Sequence, residues 1–146
     1  MPNKSAIVTG CSSGIGRATA LELTARGYEV VATARRLESI ADLAVARALK
    51  LDVDSDESVA AAQATVGPVD IVVNNAGFGI DGPVEEVPLV EVRRAFETNF
   101  FGAARMIQAF VPAMRERGCR RIDRPPPPAP RPTVSGWPPP PWALPG

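Results

Sequence analysis

The chain has 146 residues, room for one modest domain, and its 45% hydrophobic content and mean hydropathy of +0.01 suit a globular body. Sixteen basic residues balance sixteen acidic ones, which argues against bulk attraction to nucleic acid or to an anionic membrane. There is no histidine, so Ser-His-Asp and Cys-His catalysis and most zinc sites are excluded, and no metal site is expected.

Ala6-Ile7-Val8 is a short apolar run closed by Gly10 and reads as a buried strand. Residues 14–26 place Ile15, Ala18, Leu21 and Ala25 at helical spacing, with Gly27 as the stop. Val30-Val31-Ala32 gives a second strand, residues 37–43 a short helix, and residues 48–51 a third strand ending at Asp52. Ser55 is a candidate cap for a helix over residues 58–65. Ile71-Val72-Val73 is a fourth strand running into Asn74-Asn75-Ala76-Gly77. A helix starts after Pro88 and reaches about Thr98. Residues 100–117 form another, either separate or continuous with it and disturbed near Asn99, and Pro112 should kink it.

Strands alternate with helices, and the strands are apolar without a period of two. That pattern predicts an α/β fold: an open parallel sheet of about four strands with helices on both faces. No apolar run approaches the roughly 18 residues of a membrane span. The first strand begins too early to leave room for a secretory signal. Cys11 and Cys119 lie far apart, so no disulfide framework is expected, and a reduced, cytoplasmic setting follows.

Thr9-Gly10-Cys11-Ser12-Ser13-Gly14-Ile15-Gly16 joins the first strand to the first helix. In that place Gly10 allows a tight turn, Gly14 lets backbone approach a diphosphate, and Gly16 lets helix and strand pack closely. The helix start offers bare amides and positive dipole to an anion. Asn75-Ala76-Gly77 after the fourth strand is a second signal, and Asn99 in Asn99-Phe100-Phe101-Gly102 is a third.

These motifs, in this order and spacing, resemble the short-chain dehydrogenase/reductase family from about residue 4 to residue 118. The resemblance implies a Rossmann-like fold and hydride transfer between a nicotinamide dinucleotide and an alcohol or carbonyl. It implies that Gly10, Ser12, Ser13, Gly14, Ile15 and Gly16 form the phosphate and ribose turn. Asp52 and Val53 match the pair that meets adenine, and Asn75, Ala76 and Gly77 match the segment lining the cofactor. Asn99 is the one candidate catalytic residue, matching a helix asparagine that supports a water in the proton relay. A homo-oligomer would pair through the helix at Phe100–Arg117.

Cofactor choice follows from the end of the second strand, Thr33-Ala34-Arg35-Arg36. No carboxylate stands there to bond a ribose 2′-hydroxyl, and Arg35, with Arg36 beside it, can fork onto a 2′-phosphate. NADP is favoured over NAD. The competing readings are bland: the two arginines as solvated charges, Asp52 as a helix cap, Asn99 as a kink residue.

The family's Tyr-x-x-x-Lys pair has no counterpart. The one tyrosine, Tyr28, precedes the second strand and is followed four residues later by Ala32, and the only lysines are Lys4 and Lys50. Residues 119–146 form a second, proline-rich region expected to be disordered: eleven of sixteen prolines fall in Pro125–Pro145. Arg121-Ile122-Asp123 starts like a fifth strand before four prolines stop it. The break is read as a frameshift or a shortened reading frame. The tail's Pro-x-x-P spacing beside Arg124 would also suit a proline-binding domain. Three readings result: an NADP-dependent oxidoreductase without activity of its own, a nucleotide-binding module, or an interaction protein.

Overall fold

The first strand, β1 (Ser5–Val8), is apolar throughout because it is covered on both faces: Ala6, Ile7 and Val8 are wholly buried. The computed structural model describes residues 4–118, and within them β1 pairs in parallel with β2 (Glu29–Ala34) on one side and β4 (Ile71–Val73) on the other. Strand β3 (Arg47–Lys50) adds outside β2, so the sheet order is β3-β2-β1-β4. Ala6 lies opposite Val30 and Ile71, and Val8 opposite Ala32 and Val73. This is the Rossmann-like parallel sheet expected from the sequence. Among the described residues β4 is an edge. The residues expected to start a fifth strand, 121–123, and the proline-rich tail lie outside them.

Alternation along β1 sends neighbouring side chains to opposite faces. Ala6 and Val8 join Val30, Ala32, Ile40 and Leu43 under helix α1 (Gly14–Ala25), which contributes Ala20. Ile7 packs on the other face with Val59 and Ala62 of α2 (Asp56–Val66) and with Met106, Phe110 and Met114 of α4 (Ala103–Glu116). The sheet is thus the middle of three layers.

Local chemistry sets the helix ends. The Ser58 amide donates to the Ser55 hydroxyl at 3.2 Å, and Asp56 and Glu57 stand in the first turn of α2, the favourable end for acidic groups. The helix expected over residues 37–43 is shorter. It is one 3-10 turn, Leu37–Ile40, where the Arg36 carbonyl accepts from both the amide and the hydroxyl of Ser39, and this local pairing competes with α-helical bonding.

Helix α3 (Leu89–Phe96) continues into α4 through a π-helical turn, Glu97–Gly102. The disturbance expected near Asn99 is therefore a widened turn inside one long helix, a feature often found at functional sites. Two side chains pull on it: the Thr98 hydroxyl donates to Asp54 at 2.9 Å, and Asn99 reaches to Phe78. Gly102 ends the turn against Val53, where a Cβ would stand 2.7 Å from Val53 Cγ2. Pro112 does not end the helix, which runs on to Glu116. Phe96, Phe100, Phe101 and Ile107 of this long helix are exposed. No described helix is long and apolar enough to cross a membrane.

Candidate functional site

Strand order reverses at β1, with β2 and β3 to one side and β4 to the other, and open α/β sheets bind ligands in the crevice at such a point. A cavity of about 870 Å³ lies there. Its near wall is the turn from β1 into α1. Gly10 takes a φ of +72°, left-handed backbone that side chains disfavour, and a Cβ on it would meet the Ala76 backbone at 2.8 Å. A Cβ on Gly16 would stand 2.3 Å from the Gly10 carbonyl oxygen, so the helix approaches the turn as closely as a glycine permits. Ser12, Ser13, Gly14 and Ile15 are exposed to the cavity. No side chain caps the start of α1 and no acidic residue sits in its first turn. Its amide hydrogens and positive dipole are left for an anion.

Thr9 and Asn75 join this turn to the loop after β4. The Thr9 hydroxyl, buried at the end of β1, accepts from the amides of Asn75 and Ala76 and donates to the Val73 carbonyl at 3.3 Å. The Asn75 side chain donates to the carbonyls of Thr9 and Gly10. Ala76 and Gly77 then line the cavity floor.

Arg35 and Arg36 leave β2 into the same cavity, both exposed, with Ser39 beside them. Opposite are Asp52, Val53 and Asp54, in the loop after β3. The Asp52 carboxylate accepts from the Asp54 amide at 3.1 Å, and the Ser58 hydroxyl accepts from the Asp52 amide at 2.9 Å. Asp54 Oδ1 is buried here without a protein partner. Twelve of the fourteen residues singled out from the sequence therefore line one cavity. They are Gly10, Ser12, Ser13, Gly14, Ile15, Arg35, Arg36, Asp52, Val53, Asn75, Ala76 and Gly77. Gly16 stands behind the turn as a packing residue.

Asn99 also stands outside that lining. Its side-chain amide is engaged with one backbone unit: Phe78 N–H donates to Asn99 Oδ1 at 3.0 Å, and Asn99 Nδ2 donates to the Phe78 carbonyl at 2.9 Å. A Cβ on Gly77 would stand 2.8 Å from Asn99 Oδ1, so the clamp needs a glycine there. In this geometry Asn99 fixes the course of the chain after β4.

Several contributors were missed by sequence reasoning. Thr9 had one available signal, a polar residue closing an apolar strand. Asp54, Phe78, Arg94 and Thr98 reach the cavity only through tertiary packing, Arg94 lying 5.4 Å above the Phe78 ring. Among titratable groups, burial pushes the Cys11 thiol above its usual range. Arg17 holds the Asp42 carboxyl below the usual carboxylate range, and Glu97 and Asp56 raise the Arg105 guanidinium further.

The residues fit a dinucleotide's diphosphate and ribose: a glycine cradle, an uncapped helix start, two arginines and an unpaired buried acceptor share one crevice. Such a cavity on such a sheet defines the Rossmann-like class of dinucleotide-binding proteins. The profile of the short chain dehydrogenase family matches residues 4–122, and the chain belongs to that family. It is 42% identical to human retinol dehydrogenase 8 over 127 residues, covering 78% of this chain and 41% of that protein. It is 42% identical to rat estradiol 17-beta-dehydrogenase 1 over 132 residues, covering 80% of this chain and 38% of that one. A short-chain dehydrogenase from Streptomyces avermitilis superposes with a TM-score of 0.75 at 43% identity, over 80% of this chain and 46% of the other. A metagenomic short-chain oxidoreductase solved in complex with NADP superposes with a TM-score of 0.71 at 31% identity, over 78% of this chain and 57% of the other. The chain thus spans about two-fifths of the length of these two curated relatives.

Proposed function

We propose that the cavity binds NADP(H), with NADPH preferred over NADH, and that these 146 residues bind it without turning it over. The observation that carries the reading is that the uncapped α1 start lines the same cavity as Arg35 and Arg36. The amides of the 12–15 turn take the diphosphate. Arg35 and Arg36 take the 2′-phosphate by charge-assisted hydrogen bonds. Asp52 and Val53 flank the adenine, and Ala76 and Gly77 bear on the nicotinamide half. When bound, the cofactor would give a hydride to a carbonyl as NADPH, or take one from an alcohol as NADP+, in the family reaction. The proton donor of that reaction is missing from this sequence, which has no Tyr-x-x-x-Lys. General acid help of that kind contributes roughly 10²–10⁴-fold to rate.

The test is titration of the full chain with NADPH and NADH, following nucleotide fluorescence and melting temperature. NADPH is expected to bind roughly 10- to 100-fold more tightly, the equivalent of a charged hydrogen bond, and Arg35→Ala to remove most of that preference. Equal affinities would overturn the NADP assignment, and no binding of either would overturn the site. Steady NADPH consumption with any aldehyde or ketone would overturn the absence of turnover.

A further inference from the structure

Behind the Asp52–Asp54 loop stands a cation that does not line the cavity. Arg105, in the first turn of α4, spreads its guanidinium over three partners. Nε pairs with Asp56 at the start of α2. Nη2 donates to Glu97, the first residue of the π turn, at 2.6 Å. Nη1 donates to the Val53 carbonyl at 3.3 Å. Beside it the Thr98 hydroxyl holds Asp54, and Gly102 lets the helix close on Val53. The loop is thus braced from behind by the π turn, while its front faces the cavity. One planar, permanently charged fork serves two carboxylates and a backbone carbonyl, which an ammonium on a flexible stem cannot do in fixed geometry.

We infer that Arg105 is a positioning residue for the adenosine half of the bound dinucleotide, acting through the Val53 carbonyl without touching the ligand. The inference rests on the proposed use of the cavity for NADP(H). Because Glu97 opens the same π turn that carries Asn99, Arg105 also links the loop after β3 to the Phe78 clamp. The two halves of the cavity are set by one helix segment.

The experiment compares the full chain with Arg105→Met and Arg105→Lys, using 2′,5′-ADP as the adenosine probe and inorganic pyrophosphate as the probe of the glycine turn. Arg105→Met is expected to weaken 2′,5′-ADP roughly tenfold, the loss of about one hydrogen bond of ordinary net strength, and to leave pyrophosphate within about twofold. Arg105→Lys keeps a cation between Glu97 and Asp56, so it restores melting temperature but not 2′,5′-ADP affinity. Amide exchange is read on the same proteins without nucleotide. The Asp54 amide, which donates to Asp52, should exchange faster in both variants. Where Arg105→Met does not fold, Arg105→Lys alone decides.

Equal loss for both probes would reduce Arg105 to a general stabiliser and overturn the inference. So would unchanged 2′,5′-ADP affinity, or unchanged exchange at Asp54. Failure of the unaltered chain to bind NADPH would instead overturn the proposed function, while the exchange measurement would still judge the brace.

Discussion

The hydroxyl of Thr9 accepts hydrogen bonds from the amides of Asn75 at 3.0 Å and Ala76 at 2.9 Å, and the Asn75 side chain donates back to the carbonyls of Thr9 and Gly10 at 3.0 and 3.1 Å. The two residues lie 66 positions apart, at the carboxyl ends of adjacent strands. Replacing Thr9 by Val keeps the shape and removes the acceptor, so two amides are left unpaired. The expected loss is on the order of 2–4 kcal/mol, a fall in Tm of roughly 10 °C or more. Thr9→Ser keeps the hydroxyl and gives up one methyl, about 1 kcal/mol. Thermal melts of the two variants check this, and equal losses would mean the methyl, not the hydroxyl, matters.

That pair shows what the sequence reveals and what it hides. The glycine turn was legible because its information is local: a strand, fixed glycine spacing and a helix start lie within a dozen residues. Arg35 and Arg36 were legible by their place at the end of β2. The open parallel sheet with helices on both faces followed from alternation and from the family resemblance. Thr98 and Asp54, by contrast, meet across 44 residues, and nothing in either neighbourhood announces it. The π turn left only a hint, because an extra residue in a helical turn is imposed by the contacts of Thr98, Asn99 and Gly102. The helix expected at residues 37–43 failed for a local reason, the Ser39 hydroxyl on the Arg36 carbonyl.

Two glycines of the turn should respond differently to alanine. Gly14 has a φ of +57° but open space where a Cβ would go. Gly14→Ala should cost only the strain of left-handed backbone, about 1–2 kcal/mol. Gly16→Ala drives a methyl into the Gly10 carbonyl and the Asn75 amide, each at 2.3 Å. The backbone cannot yield without moving the turn, and roughly 3 kcal/mol or more should be lost. Urea unfolding of both variants decides, and a Gly16→Ala protein as stable as Gly14→Ala would show that the turn can shift.

Asn99→Ala removes both bonds to Phe78 where water can partly replace them, so the stability loss should be modest, about 1–2 kcal/mol. The sharper reading is local. Exchange of the Phe78 amide should rise well beyond what the global loss accounts for, while amides in β1 follow the global change alone. Uniform acceleration across the sheet would mean that the clamp is no separate unit.

Cys11 offers a test in pH. Its thiol is wholly buried, donates to the Val8 carbonyl at 3.2 Å, and has its pKa raised, first by burial. The sign follows from proton counting. Below the unfolded thiol's pKa both states are protonated and the thiol adds no pH dependence. Above it the unfolded chain loses the proton while the folded one keeps it, so stability falls as pH rises toward the folded value. Urea unfolding between pH 7 and 10 should show this slope, and Cys11→Ala should lose Cys11's share of it. The same burial predicts chemistry: the thiolate is the nucleophile, so iodoacetamide at pH 8 should leave Cys11 unmodified in the folded chain and alkylate it in urea, as read by peptide mass mapping. Rapid labelling of Cys11 without denaturant would show that the turn opens far more often than its hydrogen bonds allow.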